Sequence, residues 1–318
     1  MLDVLSFGEV IVDFFPEERG ILLRDAERFV RHLGGAPANV AVGLARLGVR
    51  AGLMTLVGAD DFGTFLVGAL EAEGVDTAGV GTHRTVRSGI TFVAVGPRGE
   101  RSFHFYRHPS ADQLIAEHDV DPALVARARV LHYGSSTLSR EPARSATRKA
   151  LAAARAAGGV ISCDPNLRPH IWTDPTEAAP LLRETLALTD LVKISDDELA
   201  GVVGTSDVEG GARALRELGV GLAVVTLGER GCYYDGAAAG TGWVRGQKVD
   251  VVDTTGAGDG FVAGLLTELL PRLRAGARPA TLDRGSVEAG CGLANRVAAR
   301  VVTRFGATAA LPRAADLA

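Results

Sequence analysis

The sequence predicts an α/β fold in which a mostly parallel central sheet carries helices on both faces and a small β-sheet forms a lid. Three observations predict it. Short, near-continuous apolar runs alternate with helical patterns through the second half of the chain, as in a sheet buried on both sides. The turns that follow these runs, "CDPNLR", "KISDDE" and "TLGERG", hold polar residues where such sheets bind ligands, at the C-terminal strand ends. Two extended stretches, about 10–33 and 88–109, interrupt the rhythm and supply the lid.

Taken in order, "FGEVIVD" opens the chain with an extended run that continues through 10–33. "APANVAVGLARLG" (36–48) is the first strong helix. "SGITFVAVGPRGERSFHFYR" (88–107) places two extended runs around "GPRG", which is hairpin chemistry. "VLHYGS" (130–135) is a strand, and "REPARSATRKALAAARAAGG" a helix closed by glycine, with a solvated charged face over 141–155. "VISCD" (160–164) is a strand. "DPTEAAPLLRETLALTD" (174–190) is a helix with Asp as N-cap and Pro in its first turn. "LVKIS" (191–195) and "LAVVTLG" (222–228) are strands on either side of the helix "VEGGARALRELG". Trp172 and Phe261 are expected in the core.

The 318 residues, 47% of them hydrophobic, suffice for a large core. No linker, repeat or low-complexity stretch divides them, so one domain over 1–318 is expected. A formal net charge of −4 gives no basic field for nucleic acid. Cys163, Cys232 and Cys291 are far apart and lack metal or disulfide spacing, which fits a reducing compartment. The N-terminus lacks a basic segment followed by a long apolar run. No uncharged apolar run approaches ~20 residues. The expectation is a soluble cytoplasmic protein without nucleic-acid or membrane partners.

Two motifs carry chemistry. In "VVDTTGAGDGFVAGLL" (251–266), glycines let backbone N–H groups converge on a ligand oxygen, and the following helix adds its positive end. This is a cradle for charge developing in phosphoryl transfer. Asp259, in the first turn of that helix, has a use there as a base that takes the proton of an attacking hydroxyl. The helix dipole is expected to keep it ionised at neutral pH. A capping Asp after a flexible loop gives the same local sequence, so the turn alone leaves both readings open. Phe261 stands where a dinucleotide fingerprint needs its last glycine, and no G-x-x-x-x-G-K-[ST] occurs. In "LGGAPANVAVGLARLG" (33–48), Gly34 and Gly35 allow close backbone approach, and Asn39 lies in the first turn of the helix. A plain helix cap explains that stretch equally well. His104 and His108 fall in the lid region, in neither a metal nor a triad pattern.

Together, "GGAPANVAVGLARLGVRAGLMTLVG" and "DTTGAGDGFVAGLL" resemble, in order and separation, the two signatures of the ribokinase-like (PfkB) carbohydrate kinases. The resemblance runs from "FGEVIVD" to "TRFGATAALP". Within the family, "GGAPANVAV", "ERSFHFYRHPSADQL" and "DPNLRPHIW" resemble fructokinase segments. The resemblance implies transfer of phosphate from ATP, with Mg²⁺, to a free sugar, giving fructose 6-phosphate. It assigns Asp13, Gly34, Gly35, Asn39, Arg107 and Arg168 to the sugar. Ser195, Thr226, Gly228, Gly231, Gly258 and Asn295 fall to the nucleotide. Gly256, Ala257 and Gly258 form the anion hole, and Asp259 is the base. Glu198 would hold Mg²⁺ through water, although Ser195 replaces the usual Asn of the family's N-x-x-E motif. Asp253 and Thr255 match positions that hold a monovalent cation such as K⁺ in many members, while Ala310 replaces a serine often used there. The alternative is a 2-keto-3-deoxygluconate kinase, which shares the fold and the arginine positions, or another sugar kinase of the same family. A catalytically silent sugar or nucleotide sensor is a further one, opposed by the intact "GAGD". A homodimer through the β-lid is expected.

Overall fold

The computed structural model describes residues 2–18, 20–96, 101–107 and 109–317. Along the chain, β1 (Leu2–Phe7) is followed by β2 (Ile11–Pro16), β3 (Phe29–Gly34), α1 (Ala36–Arg46), β4 (Ala51–Gly58), α2 (Asp61–Ala72) and β5 (Asp76–His83). The expected hairpin is β6 (Gly89–Val95) and β7 (Arg101–Tyr106), paired antiparallel. Residues 97–100 of its turn, and His108, lie outside the described residues. A short α3 (Pro122–Ala126) leads into β8 (Ala128–Tyr133), α4 (Ala143–Ala156) and β9 (Val160–Cys163). Then come α5 (Ala178–Leu186), β10 (Leu191–Ser195), α6 (Leu199–Val203), α7 (Val208–Glu217) and β11 (Leu222–Thr226). The chain finishes with the hairpin β12 (Gly231–Gly236) and β13 (Gly240–Arg245), then α8 (Ala257–Arg274) and α9 (Arg284–Val302). The stretch 174–190 differs slightly from expectation. Asp174 caps a 3₁₀ turn at Pro175–Glu177 by accepting from the Thr176 N–H, and the α-helix starts only at Ala178.

A nine-stranded sheet has the order β13-β12-β11-β10-β9-β8-β1-β4-β5, parallel except for the β12–β13 hairpin at one edge. Side chains alternate across it. Val4, Val130, Val160, Leu191 and Val224 join one core under α1, α2, α8 and α9. Their neighbours Leu5, Leu131, Ile161, Val192 and Val225 join a second core under α3–α7. Both faces are therefore dry, which explains the unbroken apolar strand sequences. Strand order reverses at β8-β1-β4, and a crevice opens there above the C-terminal strand ends.

The second sheet has four strands in the order β3-β2-β6-β7 and stands over that crevice. Its root is tied to the body. The Ser88 hydroxyl donates to Asp60 Oδ1 and accepts from the Gly58 N–H, at 2.9 and 3.0 Å. The Ala111 N–H donates to the Arg87 carbonyl at 2.9 Å. His104 on β7 is exposed.

Candidate active site

The crevice is a cleft of about 660 Å³ bounded by the ends of β1, β8, β9, β10 and β11, the inner face of the small sheet, and the starts of α1 and α8. The two helices meet N-terminus to N-terminus. Each begins after a glycine in the left-handed region, Gly35 with φ 101° and Gly256 with φ 79°, and neither has a side-chain cap. Across their junction the Asn39 amide donates to Asp259 Oδ2 at 2.7 Å, both residues being buried. The two sequence motifs, 220 residues apart, thus form a single contact.

The surroundings of Asp259 are charged. Burial pushes its carboxyl up to about 7; the Asn39 bond opposes this, Asp164 reinforces it, and Lys193 and Arg168 oppose it. This corrects the expectation that the helix end keeps Asp259 ionised: desolvation and a neighbouring carboxylate outweigh the dipole. Asp13, on β2, is likewise pushed up to about 7 by burial, against the pull of Arg107 and with reinforcement from Asp259 and Glu9. Lys193 forms a buried ion pair with Asp164 at 2.9 Å. Burial alone would lower the Lys193 ammonium, but Asp164 and Glu198 more than offset it and hold it above its usual value.

The glycines make room for these groups. A Cβ on Gly34 would overlap Asp13 Oδ2, and one on Gly35 would lie 2.5 Å from the Glu9 carbonyl. A Cβ on Gly258 would lie 2.8 Å from Lys193 Nζ. Asp253 clasps the base of the α8 turn: Oδ1 accepts from the Thr255 N–H and hydroxyl, and Oδ2 from the Gly306 N–H at 3.0 Å. The amides of Gly258 and Asp259 donate to no described protein group.

Five buried polar atoms on the cleft wall lack a protein partner among the described residues: Asn39 Oδ1, Thr91 Oγ1, Arg107 Nε, Ser135 Oγ and Asp164 Oδ1. Orphans at this density are costly unless a polar ligand satisfies them, and their mixed donors and acceptors match hydroxyl groups. A smaller cavity of about 190 Å³ adjoins, with apolar walls from Val251, Phe261, Ala298, Ala299 and Val302. Thr226, Thr254 and Gly258 line both spaces, so the α8 turn is their common wall.

The remaining expected residues divide between the two. Gly228, Gly231 and Asn295 line the small cavity; Asn295 is anchored by donating to the Val244 and Arg245 carbonyls at 3.3 and 3.1 Å. Ser195 and Glu198 line the large cleft instead and bond each other, the Ser195 N–H and hydroxyl both donating to Glu198 Oε2. Glu198 Oε1 accepts from the Leu167 N–H. Arg168 is exposed at the rim, whereas Arg107 is buried and bonded to Asp112. Trp172 and Phe261 are buried as expected. No cluster of three His, Cys, Asp or Glu suited to a metal occurs among the described residues, and no helix among them is long and apolar enough to cross a membrane. Lys193, Asp164, Glu9 and Asp112 were not singled out by sequence. The only signal was that Asp164 and Lys193 sit in the strand-end stretches "CDPNLR" and "KISDDE".

Comparison with known proteins agrees with this arrangement. The chain is 39% identical to probable fructokinase-4 of Arabidopsis thaliana over 316 residues, covering 99% of this chain and 95% of that protein. Fructokinase from Vibrio cholerae O395, solved in a fructose-, ADP- and calcium-bound form, superposes with TM-score 0.86 at 34% identity, over 100% of this chain and 98% of that one. Fructokinase with bound ATP from Xylella fastidiosa gives TM-score 0.87 at 32% identity, over 99% and 96% of the two chains. The profile of the pfkB family carbohydrate kinases matches residues 1–314, and with two glycine turns converging on one buried aspartate beneath a small sheet, the chain belongs to that family.

Proposed function

We propose that this carbohydrate kinase transfers the γ-phosphoryl group of ATP to the 6-hydroxyl of fructose, giving fructose 6-phosphate. The observation that carries the proposal is the common wall. An apolar space suited to a purine and a polar space suited to a sugar meet at the turn that holds the two open amides and Asp259. Asp259 accepts the proton of the attacking hydroxyl, and Asn39 holds its carboxylate in place. A carboxyl near 7 is half ionised at neutral pH, which suits a base. The Gly258 and Asp259 amides, the α8 N-terminus and Lys193 behind Gly258 stabilise charge on the transferring group. Asp13, Asn39, Thr91 and Arg107 take the sugar hydroxyls. Glu198 and the orphaned Asp164 Oδ1 fit Mg²⁺ bound chiefly through water and phosphate, which would neutralise the phosphate oxygens. Exchanging KCl for tetramethylammonium chloride tests whether the Asp253–Thr255 clasp also holds a monovalent cation. The fructose- and ATP-bound relatives support these ligand assignments.

We also propose that the chain works as one domain whose four-stranded sheet closes over the sugar, excluding water. Tyr106, 67% exposed on the outer strand β7 and packed edge-to-face on Phe92, marks the face through which a homodimer would form, which light scattering would read. The deciding experiment for the reaction is ADP release in a coupled assay with fructose, 2-keto-3-deoxygluconate and aldohexoses. Fructose giving the highest kcat/KM supports the proposal. The sugar acid leading would move the assignment to the alternative, and no ADP release with any sugar would leave only the sensor reading.

A further inference from the structure

Two buried cations face the cleft, Arg107 and Lys193, and each is matched by its own buried carboxylate. Lys193 holds Asp164, which itself lines the cleft. Arg107 is different, because its partner lies behind it. Asp112 belongs to the short 3₁₀ turn Ala111–Leu114 and does not line the cleft. The side chains of Arg107 and Asp112 are 4% and 2% exposed, so this ion pair is sealed from water. Asp112 is fixed on its other side by the Ser110 hydroxyl, which donates to Oδ1 at 2.7 Å. Backbone closes over the pair: a Cβ on Gly89 would lie 3.2 Å from both Arg107 Cγ and Asp112 Oδ1.

This arrangement changes what Arg107 offers a ligand. A guanidinium recognises a carboxylate with two parallel N–H groups and a full charge. Here Nη2 is turned to Asp112, with Ser136 Oγ at 3.5 Å, and the charge is matched. Nε remains as a buried donor without a protein acceptor. A buried N–H on a charge-matched arginine suits a hydroxyl oxygen. A sugar acid would bring its carboxylate beside Asp13 and Asp259 and find no unmatched buried cation among the described residues. We propose that Asp112 sets the preference of this enzyme for uncharged sugars over sugar acids by neutralising Arg107 from behind. The inference deepens, and rests on, the reading of fructose as substrate.

The test compares kcat/KM for fructose and for 2-keto-3-deoxygluconate in wild type, Asp112→Asn, Asp112→Ser and Asp112→Glu. Asn and Ser keep a hydrogen-bond acceptor for Arg107 and remove the charge; Glu keeps the charge. The wild-type preference tests the fructose reading. The change on substitution tests the role of Asp112, so the two fail separately. The expected result is an absolute rise in kcat/KM for the sugar acid of about tenfold or more in the Asn or Ser variant, the worth of one charge-assisted hydrogen bond, and none in Glu. If a neutral variant folds but turns over neither sugar, the same comparison is made on dissociation constants from calorimetry. No gain for the sugar acid in the folded neutral variants, in kcat/KM or, where turnover is lost, in affinity, overturns the proposal.

Discussion

The two glycine turns look alike and do different work. Both lead into a buried helix through a left-handed glycine, and both come to rest beside Asp259. At α1 only the Ala38 N–H is left open by the described residues: the Ala36 N–H reaches Glu9 Oε1 at 3.3 Å, Pro37 has none, and the Asn39 N–H returns to the Gly35 carbonyl. At α8 the Gly258 and Asp259 amides are open, and Gly258 lines both cavities. A glycine turn before a helix is therefore not enough to mark an anion site. What marks it is a pair of adjacent first-turn donors left open, two at α8 against one at α1. The α1 turn is a packing device that sets the walls for Asp13 and Asn39, and the α8 turn is the reactive one.

Substitutions separate these roles. The largest effect is expected from Asp259→Asn, which should lower kcat by roughly 10²–10⁴-fold while sugar and ATP affinities stay within a few-fold. A near wild-type rate would end the assignment of the base. Next, Gly258→Ala places a methyl 2.8 Å from Lys193 Nζ and disturbs the open amide. Loss of one such donor costs about 10²–10³-fold in turnover, so kcat should fall steeply while the melting temperature moves little. Gly35→Ala should do the reverse. Its φ of 101° and the Glu9 carbonyl 2.5 Å away predict about 1–3 kcal/mol of lost stability, read by denaturant titration. If Gly35→Ala cut turnover in a fully folded protein, the contrast between the turns would collapse.

Acidity gives a finer test. With Asp259 near 7 in the ligand-free protein, kcat/KM should climb about tenfold per pH unit below that point and level off above it. Asp259→Glu would be expected to move the inflection, and Asp13→Asn to lower it by removing a like charge. The smallest effect is on stability. Both carboxyls are raised above their usual 3.8. Their contribution is thus full below about 4 and is lost as pH rises through about 7. The ligand-free protein should melt at a lower temperature at pH 8 than at pH 5, and Asp13→Asn should flatten that slope.

These contrasts also explain what the sequence could reveal. The strand ends, the glycine turns and the β6–β7 hairpin were legible because they depend on local chemistry: period, β-branching and the need for positive φ. Phe261 and Trp172 could be placed inside by hydrophobicity alone. The raised pKa of Asp259 could not be read, because burial is a property of the assembled fold. Nor could the Arg107–Asp112 and Lys193–Asp164 pairs be found by pattern, the first lying five residues apart and the second 29 residues apart, on β10 and just beyond the end of β9. Glu198 lines the large cleft, and its engagement with Ser195 and Leu167 depends on how β9 and β10 end side by side.

The wall shared at Thr226, Thr254 and Gly258 also serves as a ruler for inhibitor design. A compound joining adenosine to a ketohexose through a phosphate chain has to thread past Gly258 to fill both spaces. Chains too short to round the turn will bind no better than their halves, and the first length that gains from both will report the span between donor and acceptor. Because the small cavity offers mainly apolar contact and the large one hydrogen bonds, the two ends of such a compound can be optimised independently, with only the linker answering to the turn.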